Sequence, residues 1–333
     1  MDADSEYFST LFFPRKGLKY ECMISFEEAF QIFNRPFFTL LRMAHEAHCK
    51  HFDEQTVQIS DILSIRTGGC SEDCSYCAQS ARNGTKAPKQ PMLDLETVVA
   101  AAKRAKERGA SRFCMSTSGR CLEADKFGKI CDIIRAVKAL GLETCVTTGF
   151  LTQPQAQMLK NAGLDYYNHN IDTSPEFYPN VATTRTIKDR IRTIEIVQSV
   201  GINVCSGGIV GMGETNEDRV KMLVCLANLK TSPQCVPINK LVKVPGTRVD
   251  ANPIDDFDFI RLIACARLMM PSSYVKIAAG RNTLSPSTPA LCLFAGANAL
   301  FSGEKLLTVD NMANGCDAAL FQKLNVKIEK PQC

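Results

Sequence analysis

The alternation of short apolar runs with longer helical patterns is the feature that most constrains the fold of this 333-residue chain. Runs of strand length recur between helix-length segments, and glycines such as Gly109, Gly141 and Gly163 follow the helices where a C-terminal cap is expected. The predicted strands are 57–65, 111–116, 142–148, 164–170, 202–206, 235–240, 273–277 and 297–301. The predicted helices are 94–108, 123–140, 153–162, 186–200, 216–229, 255–269 and one from about 289.

This rhythm of eight βα units predicts a single α/β domain, a (β/α)8 TIM-type barrel. A barrel of this kind takes about 250 residues, so the chain has room for short extensions. We predict an N-terminal extension with helices at 1–50, the barrel at 51–325 and a C-terminal tail at 326–333. In such a barrel the active site lies at the carboxyl ends of the strands.

Three cysteines stand close together directly after the first predicted strand. They are Cys70, Cys74 and Cys77, with the spacing C-x3-C-x2-C. An iron–sulfur cube normally takes four cysteine thiolates, so three would leave one iron open for chemistry. A zinc knuckle is the alternative, but it would need a second pair of ligands at finger-like spacing. The chain offers no such pair among its four histidines, which are His45, His48, His51 and His169.

The composition argues against several classes of protein. A net charge of +4 with interspersed signs gives no basic stripe for nucleic acid or for a membrane surface. No apolar run approaches the roughly eighteen residues of a membrane helix, and the acidic start is not a secretory signal. We therefore interpret the 16 cysteines as thiols in a reducing compartment and predict a cytoplasmic protein. Ten have no motif context and are interpreted mostly as inert buried thiols: Cys22, Cys49, Cys121, Cys131, Cys225, Cys235, Cys265, Cys292, Cys316 and Cys333.

Unusual side chains stand near the ends of successive predicted strands. Side chains alternate along a strand, and a barrel would make those on its inner face converge. The residues are Cys114, Cys145 and Cys205 on three strands, Asn168, Asn170 and Asp172 across the end of the fourth, Asn239 on the sixth and Lys276 on the seventh. A single buried cysteine is usually only a small apolar residue. Three on different strands could hold a second metal centre.

The cysteine loop resembles that of the radical S-adenosylmethionine (SAM) superfamily. In that superfamily the open iron of a [4Fe-4S] cluster chelates SAM, and an electron from the cluster cleaves SAM to release a 5′-deoxyadenosyl radical. The resemblance implies that Cys70, Cys74 and Cys77 bind this cluster and that Tyr76 lies beside the adenine of SAM. It also implies an external electron donor such as flavodoxin or ferredoxin.

Further segments closely resemble the biotin synthases, one family of that superfamily, from about residue 35 to about residue 325. They are FCM (113–115), GLETC (141–145), AGLDYYNHNIDTSPEFY (162–178), VCSGGIVG (204–211) and PIN (237–239). The resemblance implies an enzyme that inserts sulfur into dethiobiotin, with a second cluster, a [2Fe-2S], as the sulfur donor. Unactivated C–H bonds have no acidity for a general base to use, so a radical is required. The family also suggests a homodimer, by analogy alone.

The resemblance carries roles over residue by residue. It implies Cys114, Cys145 and Cys205 as ligands of the [2Fe-2S] cluster, Asn170 and Asp172 as contacts of SAM, and Asn168 and Asn239 as contacts of the ureido ring of dethiobiotin. Where the family commonly has an arginine as fourth cluster ligand, this chain has Lys276. We predict that Lys276 coordinates the [2Fe-2S] cluster as a neutral amine, because the strand position is retained. The alternative is a charged Lys276 that only lies beside the cluster.

Two other functions are compatible with parts of the sequence. A maturase related to hydrogenase or pyrrolysine biosynthesis would share the first cysteine loop, but it would not need the second cysteine set together with Asn168 and Asn239. A non-catalytic electron-transfer or zinc protein would have a closed four-ligand site and would not cleave SAM.

Overall fold

The structure, a computed structural model, describes residues 23–303, 305–312 and 315–330. Parallel strands at eight positions close into a barrel, because the first strand pairs with both the second and the last. The strands are β1 (Thr56–Arg66), β2 (Arg112–Thr117), β3 (Glu143–Thr147), β4 (Tyr166–Asn168), β5 (Asn203–Cys205), β6 (Gly208–Val210), β7 (Cys235–Lys240), β8 (Tyr274–Ile277) and β9 (Ala299–Phe301). The predicted (β/α)8 barrel is therefore confirmed.

Helices alternate with the barrel strands, as the sequence predicted. They are α1 (Phe26–Phe33), α2 (Phe37–Cys49), α3 (Leu95–Glu107), α4 (Ala124–Lys138), α5 (Gln153–Asn161), α6 (Tyr178–Val181), α7 (Ile187–Ser199), α8 (Asn216–Ala227), α9 (Asp256–Met269), α10 (Thr288–Phe294) and α11 (Cys316–Leu324). Helix α4 shows why these segments are amphipathic helices. Its buried residues include Ile130, Ile134 and Val137, whose spacing of four and three positions puts them on one face. Across the described parts of the chain, no helix is long and apolar enough to cross a membrane.

The fifth strand position is split between β5 and β6 by Ser206 and Gly207. A Cβ atom on Gly207 would lie 1.9 Å from the carbonyl oxygen of Pro237, so only glycine allows β7 to approach this closely. The backbone N–H of Gly207 donates to Asn170 Oδ1 at 3.2 Å. The break thus places a backbone donor beside one of the predicted site residues.

The C-terminal part adds strands that the sequence did not predict. β10 (Lys305–Leu306) and β11 (Val309–Asp310) form an antiparallel hairpin, and β12 (Lys327–Ile328) pairs in parallel with the start of β1. Two-residue strands are too short to show a hydrophobic period.

The predicted division of the chain at residues 50 and 325 stays a prediction. From residue 23 onward the N-terminal extension contains α1 and α2, while residues 1–22 lie outside the described residues. Of the predicted tail, the strand β12 is described and residues 331–333 are not.

Arg267, near the end of α9, ties this helix to the barrel wall from a fully buried position. Its guanidinium donates to the carbonyl oxygens of Pro271 and Ser273 at 2.8 Å. It also donates to the carbonyl oxygen of Gly296 and, at 3.0 Å, to Asn298 Oδ1. One side chain therefore donates hydrogen bonds to acceptors in two connecting segments, the one before β8 and the one before β9.

Replacing Arg267 by Met should leave the carbonyl oxygens of Pro271, Ser273 and Gly296 without the guanidinium donor and lower the free energy of unfolding by about 3 kcal/mol. Urea denaturation followed by circular dichroism measures the change. The matched control is Arg135→Met on the exposed face of α4, where we expect a change within about 0.5 kcal/mol. Equal midpoints for the two variants would contradict the role of Arg267.

Candidate active site at the carboxyl end of the barrel

A cavity of about 320 Å³ lies at the carboxyl ends of the barrel strands. Leu306 and Val309 of the β10–β11 hairpin line one side of it. The predicted site residues on its wall are Cys70, Cys74, Tyr76, Cys77, Asn168, Asn170, Asp172 and Asn239. This is the end of a (β/α)8 barrel at which active sites form.

Hydrogen bonds to the backbone hold the cysteine loop in place. The N–H of Cys70 donates to the carbonyl oxygen of Gln79 at 3.0 Å. The side-chain amide of Asn83 donates to the carbonyl oxygens of Cys74 and Cys77 at 3.0 and 2.9 Å. The loop therefore presents its three thiols from a frame that the protein itself supplies.

Asp73 fastens the cysteine loop to the segment between α6 and α7. Its carboxylate accepts the backbone N–H groups of Thr183 and Thr184 at 3.0 and 3.1 Å. Burial acts to raise the pKa of Asp73, but hydrogen bonds from both threonines outweigh it and hold the pKa well below its usual value. An ionised Asp73 thus connects the loop to the part of the chain that follows β4.

An arginine lies against one of the three thiols of the loop. Arg185 Nη2 lies 2.9 Å from the sulfur of Cys74, where its charge favours a thiolate. Burial raises the pKa of Cys74 to about 12, with Arg185 acting in the opposite direction, so metal must displace a proton to bind.

Two arginines that the sequence analysis missed hold Asp172. This residue has a left-handed φ of 70° in the turn after β4. Its Oδ2 accepts from Arg190 Nη2 at 2.8 Å and lies 3.5 Å from Arg185 Nη2. Tyr76 packs in the same region, against Cys74. The arginines belong to α7 and the segment before it, where strand alternation carries no information.

Asn168 and Asn170 form one hydrogen-bonded unit. Asn168 Nδ2 donates to Asn170 Oδ1 and to the carbonyl oxygen of Cys205, each at 3.2 Å. Asn168 Oδ1 accepts from Thr147 Oγ1 at 3.1 Å. Both N–H groups of Asn168 are therefore used within the protein, and one lone pair of its oxygen stays available.

Asn239 lines the same cavity from β7, two strand positions round the barrel from β4. Its Nδ2 donates to the carbonyl oxygen of Gly208 at 2.9 Å, and its Oδ1 accepts from the N–H of Ala279 at 3.1 Å. These bonds fix the orientation of the amide. One N–H and one lone pair remain for a ligand.

A second group of cysteines lies one layer deeper in the barrel than the cavity. Cys114, Cys145 and Cys235 each stand two residues before a strand residue that lines the cavity. Two residues of strand return the side chain to the same face, about 6.6 Å further along. The buried cluster contains Cys114, Cys145, Tyr166, Cys205 and Cys235. The structure thus brings the three predicted cysteines together and adds Cys235.

Arg112 lies below this cysteine cluster on β2 and is fully buried. Its guanidinium carbon is 3.5 Å from the ring centroid of Tyr166, and its Nη2 is 2.8 Å from Glu143 Oε2. A hydrogen bond from Cys145 lowers the pKa of Cys205 well below its ordinary value, and the charge of Arg112 acts in the same direction. The surroundings of Cys205 therefore favour its thiolate, which is the form that binds metal.

Lys276 lies on β8 near the same cluster and is fully buried. Its Nζ donates to Ser60 Oγ at 2.6 Å and lies 4.4 Å from the ring centroid of Phe301. Its charge, like that of Arg112, helps to lower the pKa of Cys205 after the hydrogen bond from Cys145. The cysteine cluster thus has two cations beside it.

Comparisons with known families match this arrangement over most of the chain. The radical SAM superfamily model matches residues 64–226, and the Biotin and Thiamin Synthesis associated domain matches residues 237–327. The biotin synthase of Nitrosococcus oceani is 51% identical over 309 residues, which are 92% of this chain and 90% of that protein. The biotin synthase of Agrobacterium fabrum is 50% identical over 308 residues, with 92% and 91% covered.

Solved structures with the same fold are more distant in sequence. The hydrogenase maturase HydG from Carboxydothermus hydrogenoformans has a TM-score of 0.78 at 17% identity, covering 92% of this chain and 76% of that one. Methylornithine synthase (PylB) has a TM-score of 0.75 at 16% identity, covering 94% and 95%. At these identities the likeness shows the fold alone.

The closed barrel and the superfamily match together define a radical SAM enzyme. Sequence identity of 50 to 51% over 92% of the chain shows the particular family within this superfamily. The chain belongs to the biotin synthase family. The enzyme therefore depends on SAM and on iron–sulfur clusters of the [4Fe-4S] and [2Fe-2S] types, acts on a small molecule and needs a reductant. With HydG and methylornithine synthase the likeness is one of fold alone, so the identification does not extend to their reactions.

Replacing Cys74 by Ala should abolish the formation of 5′-deoxyadenosine, because a loop with two thiols cannot hold the cluster that cleaves SAM. The measurement uses protein reconstituted anaerobically with iron and sulfide, then SAM and dithionite. The control is Cys131→Ala, which removes a buried thiol of α4 away from the cavity and should cleave SAM at the parent rate. Cleavage at the parent rate by Cys74→Ala would contradict the assignment of the loop.

Proposed function

We propose that this enzyme makes biotin by inserting sulfur into dethiobiotin held in the barrel cavity. The observation that carries the proposal is the position of the cavity between two groups of thiols. The cysteine loop lines its upper wall, and the second cysteine cluster lies one strand layer below it. A substrate in this position would lie between the two reagents that sulfur insertion requires.

Each group of thiols would hold one cofactor. Cys70, Cys74 and Cys77 would bind the [4Fe-4S] cluster, and Cys114, Cys145 and Cys205 would bind the [2Fe-2S] cluster. When bound, the first cluster with SAM supplies hydrogen-atom abstraction from unactivated carbon, and the second supplies sulfur. The protein contributes placement and a fixed distance between the two sites.

Asn168 and Asn239, two strand positions apart in the cavity wall, are proposed to orient the ureido ring. Asn168 has an acceptor lone pair for a ureido N–H, and Asn239 has a donor for the ureido oxygen and an acceptor lone pair besides. Their remaining groups are bonded within the protein, so both amides are oriented before substrate arrives. Such preorganisation lowers the entropy cost of binding.

Asp172, Asn170 and Tyr76 are proposed to contact SAM. Both Arg185 and Arg190 contact Oδ2 of Asp172, so Oδ1 is the oxygen left for a ribose hydroxyl. The arginines fix the orientation of this carboxylate and supply the paired charge that a buried carboxylate needs. Tyr76 offers a flat ring beside Cys74 for the adenine.

Several finer features are proposed by family analogy. The electron for SAM cleavage would come from a separate protein such as flavodoxin or ferredoxin. Two copies of the chain would form a homodimer, which sedimentation can test.

A cytoplasmic location is supported by the cysteines, because all those in the described part of the chain are free thiols. The role of Lys276 as a fourth ligand of the [2Fe-2S] cluster stays a prediction.

The proposed reaction is tested by anaerobic reconstitution with iron and sulfide, followed by SAM, a reductant and dethiobiotin. The expected products are biotin and 5′-deoxyadenosine, identified by mass spectrometry, with one SAM consumed for each of the two carbons that lose hydrogen. Cleavage of SAM without any biotin would refute the proposed substrate while leaving the radical SAM chemistry intact.

Replacing Asn239 by Asp tests the substrate contact. Aspartate can still accept from the N–H of Ala279, but it can donate neither to the carbonyl oxygen of Gly208 nor to a ureido oxygen. Losing the donor should cost about 1–3 kcal/mol, so affinity for dethiobiotin falls roughly 5- to 150-fold in equilibrium dialysis. SAM binding without substrate should change little.

The matched control for this test is Asn161→Asp at the exposed end of α5, which should bind dethiobiotin like the parent. An unchanged dethiobiotin affinity in Asn239→Asp would remove Asn239 from the substrate site.

A further inference from the structure

Cys235 is a fourth thiol among those proposed to hold the [2Fe-2S] cluster. It is fully buried on β7 and pairs in register with Cys205 of β5. Residues that are register partners on neighbouring parallel strands point to the same face of the sheet. Cys205 and Cys235 also belong to one buried cluster of side chains. In the sequence Cys235 has no motif context and was interpreted as an inert thiol. Its position in the barrel places it instead beside the predicted ligands of the cluster.

The four thiols form two neighbouring pairs. Cys114 and Cys145 are register partners on β2 and β3, as Cys205 and Cys235 are on β5 and β7. A two-iron cluster commonly takes four cysteines, two at each iron, so two pairs of neighbouring thiols match its ligand pattern. We propose that Cys235, and not Lys276, is the fourth protein ligand of the [2Fe-2S] cluster. This inference rests on the proposed function, because it takes the cluster to be bound at this place.

The amine of Lys276 has partners of its own within the protein. Its Nζ donates to Ser60 Oγ at 2.6 Å, and Ser60 in turn donates to Gln58 Oε1. Its Nζ also lies 4.4 Å from the ring centroid of Phe301. Lys276 is also the register partner of Pro237, one layer nearer the cavity than Cys235.

The charges around the cluster match four thiolates. The oxidised two-iron core carries two positive charges, so four thiolates would give the site a net charge of minus two. The neighbouring Cys205 thiol and burial raise the pKa of Cys235 well above its ordinary value, and the charges of Lys276 and Arg112 act in the opposite direction. Within the described residues, Arg112 Nη1 is buried and has no hydrogen-bond partner. A buried donor of this kind needs an acceptor, and sulfur of a cluster or thiolate is the acceptor that lies nearby.

The test compares ligand variants in a chain whose three loop cysteines are replaced by alanine, so that spectra report the second cluster alone. The variants are Cys235→Ala, Cys235→Ser and Lys276→Met. The control is Cys265→Ala, which removes another fully buried thiol from the core of α9. Each protein is reconstituted anaerobically with iron and sulfide. The readouts are iron and sulfide per chain, visible absorption, and the paramagnetic resonance spectrum after reduction.

We expect Cys235→Ala to lose the cluster or to lose roughly a quarter of the thiolate-to-iron absorption, as one thiolate of four is removed. Cys235→Ser should shift the absorption bands to shorter wavelength, since oxygen replaces sulfur on iron. Lys276→Met should keep the band positions of the parent, with a lower reduction potential because a nearby positive charge is gone. Cys265→Ala should match the parent throughout.

Parent-like absorption and resonance spectra in Cys235→Ala would overturn the inference. If circular dichroism shows that Cys235→Ala is unfolded, the nearly isosteric Cys235→Ser is used for the test in its place. Absorption bands of Cys235→Ser at the parent wavelengths would then overturn the inference. If the chain with its three loop cysteines replaced by alanine binds no two-iron cluster, the inference is overturned as well. A chain with intact loop cysteines that binds the two-iron cluster yet makes no biotin contradicts the proposed function alone.

Discussion

The alternation of side chains along the strands of a closed parallel barrel is the constraint on which both groups of cysteines depend. Because residues two apart share a face, one strand can supply a cavity residue and a deeper residue together. On β2, Ser116 lines the cavity while Cys114 belongs to the cysteine cluster. A register slip of one residue would turn both side chains out of the barrel. The same pairing that closes the barrel therefore sets the distance between the two sites.

Buried charge is arranged around these sites in compensating groups. Asp172 is paired with Arg185 and Arg190 beside the cavity, and Arg112 is paired with Glu143 below the cysteine cluster. Such pairs add little net stability, because the cost of removing charges from water offsets their attraction. Their effect is to hold groups in defined positions and to set the charge that cofactors meet.

The segment that follows β4 joins the parts of the upper site. Thr183 and Thr184 bind the Asp73 carboxylate of the cysteine loop, while Arg190 of α7 binds Asp172. One stretch of chain thereby positions both the loop that would hold the cluster and the carboxylate proposed for SAM. Radical chemistry profits from this rigidity, since a reactive carbon centre must meet only its intended partner.

The sequence alone determined the barrel and the cysteine loop. Eight βα units have few allowed closures, so their rhythm predicts the barrel, and the spacing of Cys70, Cys74 and Cys77 is a local pattern. The break between β5 and β6, by contrast, follows from how closely β7 approaches Gly207.

Only the tertiary structure decided that Cys235 lies beside Cys205, because β5 and β7 meet at that register pair. It likewise brought Arg185 and Arg190 to Asp172. These contacts join segments that are distant in the chain, and their side chains follow no period of helix or strand. Strand register and loop packing set them, and both arise only when the barrel closes.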